Sequence, residues 1–61
     1  MTQKELLYME DAIGHEDIII KVLEDSMTYV EDDEINSFFK NELKIHEDVK
    51  KNLIKKLEEL C

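Results

Sequence analysis

From Leu6 onward, apolar side chains return at alternating steps of three and four residues: Leu6, Met9, Ile13, Ile20, Leu23, Met27 and Val30. That spacing belongs to a helix packed lengthwise on another helix, because it keeps one stripe facing the same neighbour turn after turn. One position in the series is not apolar, and Glu16 occupies it. With no proline and a single glycine in 61 residues, little in the chain interrupts helical structure. The pattern predicts an all-α fold.

The helix ends are equally marked. Thr2-Gln3-Lys4-Glu5 has the form of a capping box, in which the Thr2 hydroxyl accepts from the Glu5 amide and the Glu5 carboxylate accepts from the Thr2 amide. Helix one is therefore expected over about 3–30. The run Glu31-Asp32-Asp33-Glu34 halts the apolar pattern, and its carboxylates suit the N-cap and first turn of a second helix. It lacks the spacing of an EF-hand calcium loop. With a turn at about 31–33, helix two is expected over about 34–60. Its stripe reads Ile35, Phe39, Val49, Leu53 and Leu60, widened by Phe38, Leu43, Ile45, Ile54 and Leu57, with Glu42 and His46 inside it. Gly14, in mid-helix, is disfavoured by about 1 kcal/mol relative to alanine, and close helix approach is its expected explanation. Met9 and Met27 read as core filler, and Phe38 and Phe39 as a plug for the bundle end near the turn.

A chain of this size forms one domain and has too little apolar core to be comfortably stable alone. In Ile18–Leu23, three consecutive isoleucines cover more than half the helix circumference, so a two-helix hairpin leaves part of them facing water. The arrangement expected to cover them is a homodimer of hairpins, a four-helix bundle. Residues 1–30 carry seven acids and two lysines, against five acids and six lysines in residues 35–61, so antiparallel neighbours attract modestly.

Sixteen acidic residues against eight lysines give a net charge of −8, which disfavours nucleic acid and anionic membrane surfaces as partners. No segment approaches the ~20 apolar residues of a membrane span, and the N-terminus lacks a signal-peptide layout, so the expected location is the cytoplasm. The single cysteine, Cys61, has no intrachain disulfide partner and reads as incidental. No Ser-His-Asp or Cys-His set, Gly-rich phosphate loop or zinc-type cysteine pair occurs. Hydrolase and nucleotide-dependent chemistry are unsupported, no catalytic residue is assigned, and enzyme activity is left open.

If the turn centres near residues 32 and 33, residues whose numbers sum to about 65 share a height. Glu16 then lies opposite Val49, with His46 offset by roughly 4.5 Å at 1.5 Å per residue and Glu42 one turn nearer the loop. An unpaired carboxylate in such a slab is disfavoured by several kcal/mol. A Glu–His hydrogen bond, a bound cation or water would each relieve it. Across a two-fold axis the slab holds four glutamates and two histidines, the ligand inventory of di-iron and di-manganese bundles. His15, Glu10, Asp11 and Glu47 are expected on the wet side, which Asp48, Lys50 and Lys51 mark beside Glu47, and Asp11 is able to pair with His15 at a four-residue step.

Two segments, Ala12-Ile13-Gly14-His15-Glu16 and the run EINSFFKNELKIHE from Glu34 to Glu47, resemble the hairpin of ferritin-like proteins of the rubrerythrin type. That family carries A-I-x-x-E on its first helix and E-I-x-x-F-F followed by E-x-x-H on its second. The resemblance implies a half-ferritin hairpin that binds iron or another divalent metal, with Glu16 matching the family's first-helix ligand. On the second helix His46 stands where the family has a bridging glutamate, and Val49 stands where it has histidine. Glu42 and His46, four residues apart, remain to complete a set of Glu16, Glu42 and His46. A looser similarity to small spore-coat-type hairpins implies the alternative, a non-catalytic structural or interaction protein in which the same residues only set helix register.

Overall fold

The computed structural model describes residues 1–61 as two helices, α1 (Gln3–Tyr29) and α2 (Asp33–Leu60), packed against each other as an antiparallel hairpin. Both starts follow the local chemistry. The Thr2 hydroxyl accepts from the Glu5 amide at 3.1 Å and the Glu5 carboxylate accepts from the Thr2 amide at 2.8 Å, closing the capping box. The Asp32 carboxylate caps α2 by accepting from the Ile35 amide at 3.0 Å, with Asp33 and Glu34 in the first turn. Asn36 ties the turn shut, its side-chain amide donating to the Val30 carbonyl at 2.6 Å.

The Thr2 amide, aided by the Thr2 hydroxyl, holds the Glu5 carboxyl below the usual carboxylate range. A lowered folded-state value means this stabilisation is present above the unfolded pKa and is lost as pH falls through the folded one. A side-chain NMR titration should find the Glu5 midpoint below that of glutamate in an unstructured peptide. Amide protection in the first turn of α1 should fade on the acid side of that midpoint.

Half-buried residues define the seam. On α1 they include Leu6, Met9, Ile13, Glu16, Ile20, Leu23, Met27 and Val30, the positions expected from the three-four spacing. On α2 the same spacing runs through Asn36, Phe39, Leu43, His46, Lys50, Leu53 and Leu57. This corrects the expected α2 stripe, because Ile35, Val49 and Leu60 are exposed. A heptad stripe anchored on Phe39 and Leu53 passes through Leu43, His46 and Lys50 rather than Val49. Phe39 packs into the seam, but Phe38 stays 59 % exposed and plugs nothing within the hairpin. The contacts Asn36–Val30, Asp17–Lys50 and Glu16–His46 join residues whose numbers sum to 66, 67 and 62, around the expected value of about 65.

Gly14 is exposed, and a Cβ there would meet nothing within 4 Å. No close helix approach explains it. Gly14→Ala should therefore raise stability by about 0.5–1 kcal/mol, the helix-propensity difference, read as a higher midpoint in denaturant. Unchanged or lower stability would mean that something outside the hairpin occupies that space.

The hairpin is long and thin, 45 × 15 × 10 Å with a radius of gyration of 14.2 Å, against about 10.5 Å for a compact chain of this length. Not one residue is fully buried. Lettering the seam positions a and d, a second stripe of exposed apolar residues falls at c and g, Ile19 and Val22 on α1 and Ile35, Phe38, Ile45 and Val49 on α2, with Glu42 at the g position between Phe38 and Ile45; Leu7 and Ile18 are exposed outside both stripes. In an antiparallel pair g flanks g and e flanks e, so both halves of this stripe lie on one side of the hairpin. The other side is polar, with a groove lined by Asp17, Glu47, Lys50, Lys51, Ile20 and Ile54.

Candidate functional site

Glu16 and His46 meet across the seam. His46 Nδ1 lies 2.6 Å from Glu16 Oε2, with the two side chains 25 % and 15 % exposed. An ionised carboxylate only accepts, so the ring donates from Nδ1. Nε2 is then turned toward Glu42, whose Oε2 is 3.9 Å away, beyond hydrogen-bond reach. Glu42 and His46 share a face because they are one helical turn apart. The hairpin thus joins Glu16, His46 and Glu42 in one row, near mid-height, on the side that carries the second apolar stripe.

The neighbouring seam position holds Lys50, expected on the wet face but in fact half-buried and ion-paired with Asp17 across the helices. Its four-residue step from His46 and three-residue step to Leu53 were the available signal; its charge concealed it. A lysine reaches such a position by laying its methylenes along the seam while the ammonium leaves toward the polar side. His15 and Glu47 are exposed as expected. Asp11 makes no ion pair with His15; the two side chains are exposed and separately solvated.

Glu16 holds His46 Nδ1 through Oε2, which leaves His46 Nε2, Glu42 and the second Glu16 oxygen as the remaining donor atoms of the row. No group of three or more His, Cys, Asp or Glu side chains in the hairpin is arranged to hold an ion. Neither helix is long and apolar enough to cross a membrane, and Cys61 is free and exposed.

No protein-family model, curated protein or solved structure matches the chain.

Proposed function

We propose that this chain is a self-assembling helical hairpin whose two copies close into a four-helix bundle, and that its Glu16–His46–Glu42 row sets helix register in that bundle. The carrying observation is the absence of any fully buried residue beside a second, largely apolar stripe around mid-height and the turn. A compact chain of 7.3 kDa exposes about 4,200 Å²; the hairpin exposes 5001 Å². Two hairpins merged into one globule would expose about 6,900 Å², removing roughly 3,100 Å² in total from water, well inside the range of obligate homodimers. Polar residues in such a core favour one register, because a shifted partner leaves them without hydrogen bonds. Light scattering on the purified chain tests this: a mass near twice 7.3 kDa is expected at all workable concentrations, and a folded monomer would refute it.

A second reading is a ferritin-like divalent-metal site, and one observation favours it. A carboxylate on Nδ1 with a free Nε2 facing a second carboxylate is how proteins commonly orient a metal-binding histidine. Two hairpins together would supply two copies of Glu42 and His46, four donors in all. Elemental analysis of the dimer peak after dialysis against a mild chelator separates the readings: stoichiometric iron or another divalent metal supports this one, and its absence after ferrous loading leaves the row with its register role.

A further inference from the structure

The second apolar stripe is not uniform along the hairpin, and its grading carries orientation. On α2 the c and g positions from the turn to mid-helix are apolar except for Glu42, at Ile35, Phe38, Ile45 and Val49, and they are polar toward the other end, at Asn52, Lys56 and Glu59. α1 runs through Tyr8, Ala12, His15, Ile19, Val22, Ser26 and Tyr29 at the same letters. Building on the dimer proposed above, we infer that the two hairpins associate with their turns at the same end, about a two-fold axis parallel to the helices, so that α1 of each packs beside α2 of its partner.

Equal heights then match apolar with apolar from mid-height to the turn. Ile19 meets the partner's Val49, Val22 meets the partner's Ile45, and Tyr29, 85 % exposed in the single hairpin, stacks over the partner's Phe38. Polar residues coincide as well. Ser26 faces the partner's Glu42, which can accept from its hydroxyl, and Tyr8 can donate to the partner's Glu59. The apolar groove formed by Met1, Tyr8, Met9 and Leu60 opens on this same face, so the interface continues to the open end.

End-for-end reversal loses this match. If α2 lay beside the partner's α2 with the hairpins fully overlapping, Ile35 would face the partner's Glu59 and Phe38 the partner's Lys56, while Ile45 would meet the partner's Val49. If α2 lay beside the partner's α1, Ile45 would face the partner's His15 and Val22 the partner's Asn52. Each apolar–polar pairing buries an apolar side chain against a polar group lacking a hydrogen-bond partner. The turns-together arrangement also brings the two Glu16–His46–Glu42 rows level with each other, so they meet within the bundle.

Cys61, the only cysteine, is exposed at the open end and serves as the reporter. With a nitroxide on Cys61, pulsed dipolar spectroscopy of the dimer should give a distance under about 25 Å, since diagonal helices of a bundle with 8–10 Å neighbour spacing lie roughly 14 Å apart. Moving the label to the turn, as Glu31→Cys in a Cys61→Ser background, should give a similarly short distance. A dimer whose Cys61 labels lie near 45 Å, the hairpin length, or farther overturns the orientation while leaving the dimer itself intact. A monomeric mass in the same sample overturns both.

Discussion

Ile45→Glu should abolish the dimer and take most of the helical signal with it at micromolar concentration. Ile45 is 52 % exposed in the hairpin, so by the hairpin alone the substitution would be nearly neutral. In a bundle the same side chain lies in the interface and occurs twice. Each copy gives up the roughly 1.5–3 kcal/mol of a buried isoleucine and places a carboxylate where its desolvation is unfavourable by several kcal/mol more. The sum exceeds 4 kcal/mol by this rough reckoning, or about a thousand-fold in dissociation constant. Helicity should fall with it, because a hairpin with no fully buried residue has little stability apart from association. Lys44→Glu, one position away on the polar side, keeps the same acidic replacement and should leave the dimer intact. Light scattering and circular dichroism over a dilution series read both variants. An Ile45→Glu protein that stays dimeric would remove the second apolar stripe from the interface.

His46→Leu should lower stability by about 2 kcal/mol, while Glu16→Leu combined with His46→Leu should recover that loss or surpass the parent. The single change leaves the Glu16 carboxylate partly buried without the donor that holds it at 2.6 Å, and an unsatisfied ionised group in that position is destabilising by about 1–3 kcal/mol. The double change replaces both partners with well-packing apolar groups, which is commonly neutral or stabilising. Chemical denaturation of the four species forms a double-mutant cycle with an expected coupling of about 1–3 kcal/mol. The double variant should also lose the parent's single dimeric mass, since an all-apolar seam no longer penalises shifted registers. Equal losses in the single and double variants would mean that Glu16 and His46 act independently.

Much of the fold was legible from local rules. The Thr2–Glu5 box and the Asp32 cap act within three residues, so their sequence patterns specify their geometry. The α1 seam, including Glu16, follows from uninterrupted three-four spacing. The α2 seam differs from expectation because that helix carries two interleaved apolar stripes of the same period, so that Ile35 and Val49 mix with Phe39 and Leu53 when projected together, while Leu60 keeps the seam period but is exposed at the open end. Lys50 was misplaced for a related reason: charge was taken to mark solvent, although a long aliphatic stem allows a lysine to line a seam beside Asp17. The Glu16–His46 pairing was expected within about one turn. The hydrogen bond itself depends on the supercoil and on both rotamers, which no spacing rule contains.

Periodicity, capping and charge, written in the order of the residues, are enough to determine two long helices, a turn at the acidic run, and a glutamate and a histidine held inward. Those properties depend on neighbours three or four residues apart, and the chain encodes such neighbours directly. Which stripe α2 turns toward α1, and which it leaves uncovered on the Glu42 side, is decided only when the helices pack. Rotation of one helix about its axis exchanges two apolar faces of similar size, and the choice rests on the summed fit of side chains some thirty residues apart.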